Sequence, residues 1–260
     1  MFFYKEEKIK MRIKTLYILI LLFVSSAMLL ISCKKIDIQE PDPNANIDYK
    51  CKDIDTFPEV PNLDFESWTL STTRKYYVPD PECFWTTPNK SADLIIGNIR
   101  PPVTTFRVGH DSAYEGKYAV MMKTGTFKLG GSTLITSGTV ATGTFKPNVN
   151  DPLNSIRFGQ PFSRKIKKVT GMYKYISVQG DSCGMYCYQM LDKDTICFDR
   201  FISSETKRNW TEFTLEPVYK SDKIPDKLVL YWASSENGDE LEGQKGSTLY
   251  IDAVKIEYYP

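Results

Sequence analysis

The sequence predicts an all-β sandwich of eight or more strands, one domain filling about 200 residues from Asn62 to Pro260. Three observations carry that reading. Short segments rich in β-branched and aromatic residues follow one another, each bounded by Gly, Pro, Asn, Asp or other polar residues. No stretch of helical length holds an apolar stripe at the 3.6-residue period. No internal repeat is visible, which argues against propellers and solenoids. Composition agrees: 260 residues, 42% hydrophobic and 25% charged, suit a globular chain and exclude collagen-like, coiled-coil and wholly disordered classes.

Residues 1–32 read as a secretory signal. Lys5, Lys8, Lys10, Arg12 and Lys14 precede an uncharged run from Thr15 to Ser32 that ends in small residues. Leu30-Ile31-Ser32-Cys33 then resembles a bacterial lipobox, in which the cysteine thiol takes a diacylglyceryl group and becomes the first residue after cleavage. The resemblance implies lipidation at Cys33 and a chain lipid-anchored in the bacterial outer membrane, at the cell surface. An uncleaved anchor helix is the alternative, and it too leaves the remainder outside the cytoplasm. Residues 33–61 are rich in Pro, Asn and charge, as in Glu40-Pro-Asp-Pro-Asn44, and lack periodicity; they read as a flexible tether.

The whole chain carries 33 basic and 32 acidic residues, a net +1. Residues 1–32 hold five basic and two acidic residues, so 28 against 30 remain beyond them, close to −2. Such a balance provides no electrostatic footprint for nucleic acid.

Lys117–Thr124, Lys168–Val178, Trp210–Leu215, Lys227–Ala233 and Thr248–Tyr258 are the clearest strands. Asp192-Lys193-Asp194, between two apolar runs, reads as a hairpin turn joining Ser182–Leu191 to Thr195–Ile202. A three-residue turn sets Cys197 opposite Gln189 and Cys187 opposite Asp199. Cys183 and Cys187 stand roughly 13 Å apart on one strand, too far to grip one zinc ion. With Cys197 they read as small buried thiols. Five cysteines follow Cys33, so at least one is free in a monomer; the count leaves a Cys51–Cys83 bridge open.

The search for catalytic motifs returns negatives. There is no phosphate-cradling glycine loop, no H-E-x-x-H and no C-x-x-C. The one histidine, His110, sits in Gly109-His-Asp-Ser112, an ordinary turn before a strand, so no catalytic residue is assigned. A glycosidase working through paired carboxylates stays open, because their ~5–9.5 Å spacing is set by the fold.

A family resemblance is carried by motifs in a fixed order. They are Asn62-Leu-Asp-Phe-Glu-Ser-Trp68, Phe84-Trp-Thr-Thr-Pro-Asn89, Tyr114-Glu-Gly-Lys-Tyr-Ala-Val-Met-Met-Lys123, Thr142-Gly-Thr-Phe145 and Gly171-Met-Tyr-Lys-Tyr175. Ser234-Ser235 and Gly246-Ser-Thr-Leu-Tyr-Ile-Asp252 close the series. This order resembles the putative carbohydrate metabolism domain (PCMD) family of surface lipoproteins. The resemblance implies a jelly-roll β-sandwich similar to carbohydrate-binding modules, and a role in glycan capture. Two departures stand out: the loop around Tyr76–Cys83 is long, and Ala253 stands where a second Asp is common.

The Asn62–Glu66 start and Asp252 near the end also look like the strand pair that holds a structural calcium in many carbohydrate-binding jelly rolls. Glu66 and Asp252 would be its carboxylate ligands; the alternative is that both bond backbone amides. Sugar recognition needs flat aromatic faces and planar polar groups, and the chain has 4 Trp, 16 Tyr and 14 Phe. Phe65, Trp68, Phe145 and Trp210 lie in strand patterns and are assigned to the core. Trp85 and Asn89 lie in what reads as a loop, Tyr173 and Tyr175 share one strand face opposite Lys174, and Trp232 could line a concave sheet. These five are the expected carbohydrate-binding residues. The expected function is non-catalytic glycan capture by a surface lipoprotein. The alternatives are a glycoside hydrolase or lyase on the same scaffold, and a structural or adhesive module that binds protein.

Overall fold

The computed structural model describes residues 56–73, 75–93, 101–129, 131–146 and 155–260. The expected signal segment, Cys33, Cys51 and most of the tether lie outside the described residues. Among those described, no helix is long and apolar enough to cross a membrane.

The chain folds as a jelly-roll sandwich of two antiparallel sheets. The smaller has five strands in the order β14 (Lys207–Leu215), β11 (Ile166–Ile176), β17 (Thr248–Tyr258), β5 (Ala119–Lys123) and β4 (Thr105–Val108). The larger runs β15 (Val218–Tyr219), β13 (Asp194–Ser203), β12 (Cys183–Leu191), β16 (Lys227–Ala233), β8 (Thr139–Phe145) and β3 (Trp85–Thr86). Two short strands complete it: β9 (Ile156–Phe158) pairs with β8, and β10 (Gln160–Pro161) with β16. The pairs β1 (Trp68–Leu70) with β2 (Tyr77–Pro79) and β6 (Gly125–Leu129) with β7 (Ser132–Thr136) form separate hairpins. The chain changes sheet from β11 to β12, back from β13 to β14, and again from β16 to β17, which is the jelly-roll crossing pattern.

Alternation fixes what faces inward. On β11, Val169, Tyr173 and Tyr175 are buried while Thr170, Met172 and Lys174 are not. On β12 the buried inward side chains are Cys183, Met185, Cys187 and Gln189; on β16 they include Leu228, Leu230 and Trp232. Gly171 of β11 makes room for its partner across the strand pair, because a Cβ there would come within 2.7 Å of the Phe213 ring of β14. Gln189 is a buried polar group fully employed: its Nε2 donates to the Arg164 carbonyl at 2.7 Å, and its Oε1 accepts from Ile166 N–H at 3.1 Å and from the Tyr219 hydroxyl. It therefore ties β12 to the start of β11 without an unsatisfied group.

The expected hairpin register is observed, with Cys187 opposite Asp199 and Gln189 opposite Cys197. The turn is tighter than predicted: Leu191 pairs with Asp194, leaving two turn residues, and Asp192 takes φ 56°. A register shift after Gln189 restores the pairing further along. Cys183, Cys187 and Cys197 are buried free thiols, as expected. Cys83 is disulfide-bonded, to a partner outside the described residues. The ordered core also begins earlier than Asn62. Phe57 and Val60, read as tether, are buried, and Phe57 N–H donates to the Pro161 carbonyl.

Candidate functional site

The residues expected to meet sugar are interior residues. Trp85, Tyr175 and Trp232 have no exposed surface and Tyr173 has 2%. Trp85 lies on a strand, not in a loop, and its Nε1 donates to the Pro61 carbonyl at 2.9 Å. Tyr173 packs against Phe201 and Phe213, and the Tyr175 hydroxyl donates to the Ser234 carbonyl. Asn89 is also buried. Its Oδ1 accepts from Thr104 and Thr105 N–H and its Nδ2 donates to the Thr105 carbonyl, clamping the 3-10 turn Pro88–Asp93 onto β4. These five are corrected from ligand contacts to core residues. Tyr173 and Tyr175 do share a face, but it is the inner one.

Glu66 and Asp252 hold backbone. Glu66 Oε1 accepts from Lys117 and Tyr118 N–H at 2.8 and 3.0 Å. Asp252 Oδ2 accepts from Tyr114 and Glu115 N–H at 2.7 and 3.2 Å, and its Oδ1 from Ala253 N–H. Both carboxylates thus cap the loop before β5, and Gly116, at φ 65°, wraps so closely that a Cβ would sit 2.2 Å from Glu66 Oε1. Among the described residues no group of three or more His, Cys, Asp or Glu side chains assembles around them. The bonds seen are those of the amide-bonding alternative. Burial raises the Asp252 carboxyl above its ordinary range, against the pull of its amide donors.

Trp210, assigned to the core, is instead on the outer face of the smaller sheet. Lys174 Nζ lies over Trp210 and Tyr250 at 4.5 and 4.8 Å from the ring centroids and donates to the Ser112 carbonyl. Burial lowers the Lys174 ammonium below its usual range. This cage is closed by its own cation.

The larger sheet is different. Alternation that buries the β12 cysteines turns Gly184, Tyr186 and Tyr188 outward. Tyr186 is opposite Arg200 of β13 on one side and Tyr231 of β16 on the other, and Tyr188 is opposite Phe198. Ring centroids stand 5.4 Å apart for Tyr186–Tyr231, 5.4 Å for Tyr231–Phe158 and 6.2 Å for Tyr188–Phe198. The pair Phe198–Tyr188 and the trio Tyr186–Tyr231–Phe158 meet two residues apart on β12, so that five rings form a band across β13, β12, β16 and β9. Phe198 and Phe158, at its ends, are 40% and 39% exposed, and the three tyrosines between them are half-buried. A Cβ on Gly184 would come within 2.6 Å of the Tyr186 ring, so that ring lies along its own strand over the glycine. Arg200 and Glu236, 4.0 Å apart, set a planar donor and a carboxylate beside Tyr186. Aromatic faces flanked by planar polar groups suit a ligand with a C–H face and a hydroxyl edge.

Part of this band had a sequence signal. If Cys183 and Cys187 are buried, period two turns Tyr186 and Tyr188 outward, and the hairpin register sets Phe198 beside Tyr188. Tyr231 and Phe158 arrive through pairings between distant strands, and no local pattern announces them.

The profile of the putative carbohydrate metabolism domain matches residues 64–197 and 186–257. The chain belongs to that family. This PCMD chain is similar in fold to a putative glycoside hydrolase from Bacteroides thetaiotaomicron, with a TM-score of 0.63 at 22% identity over 76% of this chain and 71% of that one. A putative glycoside hydrolase from Bacteroides vulgatus gives a TM-score of 0.59 at 18% identity, over 75% of this chain and 97% of that one. A carbohydrate-binding module solved with β-1,4-galactotriose has a TM-score of 0.38 at 10% identity, over 77% and 97% of the two chains. No curated protein matches the PCMD chain's sequence.

Proposed function

We propose that this chain binds glycans without cleaving them, on the outer face of the larger sheet. The observation that carries the reading is the band of five rings, Phe198, Tyr188, Tyr186, Tyr231 and Phe158, on one sheet face of a carbohydrate-family domain. Stacking a flat apolar face on an aromatic ring contributes on the order of 1–3 kcal/mol where it has been measured for bases, so two or three such contacts give useful affinity. A glycan array probed with the full chain, held in a detergent without a sugar headgroup, tests this. Retention without release of reducing ends supports the reading; silence across the array sinks it.

The proposal extends to where the protein works: at the bacterial surface, held by lipid on Cys33. Support comes from the basic start, the uncharged run and Leu30-Ile-Ser-Cys33. Cys33→Ala should remove the acyl mass and shift the chain out of the membrane fraction; an unchanged distribution argues for an uncleaved anchor helix instead.

Glycoside hydrolysis is the second reading, favoured by the activity in the names of the two Bacteroides proteins. Release of reducing ends that disappears in Glu236→Gln, the carboxylate beside the band, would decide for it.

A further inference from the structure

We infer that the band grips a single glycan chain taken from solution, and not the flat face of a crystalline polysaccharide. This rests on the glycan-binding reading above and adds the physical form of the ligand. A crystalline face is planar, so the rings that meet it must lie in one plane. The rings here do not. Tyr186 and Tyr231 are inclined at 44°, Tyr231 and Phe158 at 89°, and Tyr188 and Phe198 at 43°. Of Tyr186, Tyr231 and Phe158, at most one can lie face-down on a plane; with Tyr231 down, Phe158 presents an edge. A lone chain has two faces and two edges, and can follow rings inclined to one another.

Exposure is unequal along the band: the end rings, Phe198 and Phe158, are 40% and 39% exposed, and the tyrosines between them less so. The Tyr186 ring lies along its own strand over Gly184. Neighbouring strands are about 4.8 Å apart, so a band crossing several of them accommodates successive sugars of one chain.

The experiment measures the full chain, in detergent lacking a sugar headgroup, against two sets of probes. One set is soluble oligosaccharides of graded length from several linkage types, read by calorimetry. The other is microcrystalline cellulose and crystalline chitin, read by sedimentation. Affinity for a soluble oligosaccharide that rises with chain length, weakened about tenfold or more by Tyr231→Ala, is the expected result. Phe158→Ala, at an exposed end ring, should also weaken it, and guards against a Tyr231 variant that folds poorly. Sedimentation with a crystalline polysaccharide and no affinity for soluble chains overturns this inference while leaving glycan binding in place. Binding to neither set overturns both. Soluble binding unaffected by either substitution places the ligand elsewhere and also overturns it.

Discussion

The indoles of Trp85 and Trp232 stack on one another in the interior, centroids 5.5 Å apart and 28° from parallel, with no surface of either reached by solvent. One belongs to β3 and the other to β16, and β8 lies between those strands. Phe65 completes the group, its ring edge-on to Trp232 at 5.7 Å. Rings that by sequence could have met a sugar meet each other, and this has energetic consequences.

Trp85→Ala and Trp232→Ala should each lower stability by about 3–5 kcal/mol, as expected when a large buried ring leaves a cavity. Because the rings touch, the double variant should differ from the sum of the two by about 0.5–3 kcal/mol. Urea unfolding followed by tryptophan fluorescence and by far-UV circular dichroism measures both. A folded, fully stable Trp232→Ala chain would show that the core is not built as described.

Gly184→Val should act on binding more than on folding. The added side chain meets the Tyr186 ring, which can rotate away because it lies on the outer face. Glycan affinity is expected to fall severalfold with a change in stability within about 1 kcal/mol, the range of strand propensity. Arg200→Ala should leave stability within about 0.5 kcal/mol, since Arg200 is exposed and stands a long 4.0 Å from its half-buried partner Glu236. Calorimetry beside thermal unfolding separates the two effects.

Asp252 gives a pH dependence. Its carboxyl is raised in the folded chain, chiefly by burial, so the folded state holds the proton more tightly than the unfolded state. The stability this group contributes is complete below the ordinary carboxyl value and is lost as pH rises through the raised one. Asp252→Asn should flatten that part of the stability–pH curve. At neutral pH it should cost about 1–3 kcal/mol, because an amide NH2 then faces either Ala253 N–H or the N–H groups of Tyr114 and Glu115. Unfolding midpoints across the acid range check the first effect. Addition of EGTA should leave the wild-type midpoint unchanged, because loop amides occupy both carboxylates.

The free thiols should be silent in the native state. Burial pushes Cys183 up to about 12 and raises Cys187 and Cys197 as well, and the thiolate is the reactive form. Iodoacetamide at neutral pH should leave all three unmodified in folded protein, with labelling appearing along the unfolding curve. Rapid modification of Cys197 under native conditions would contradict the packing of the hairpin.

Hydrophobic alternation and turn residues are local, and what depends on them was legible: an all-β chain, the strands Lys227–Ala233 and Thr248–Tyr258, and the pairing of Cys187 with Asp199 and of Gln189 with Cys197. The same alternation shows that Tyr173 and Tyr175 share a face, yet it is blind to which face turns inward when both carry apolar groups. In Leu228-Val229-Leu230-Tyr231-Trp232-Ala233, either set could have been the core. The neighbouring strands decide, and they are distant in sequence: β16 lies between β12 and β8, which buries Trp232 and turns Tyr231 outward. Sequence by itself determined the fold class and the local registers, because those depend on period and turns. Tertiary structure alone decided which rings became core and which became surface, because burial depends on sheet partners brought together from across the chain.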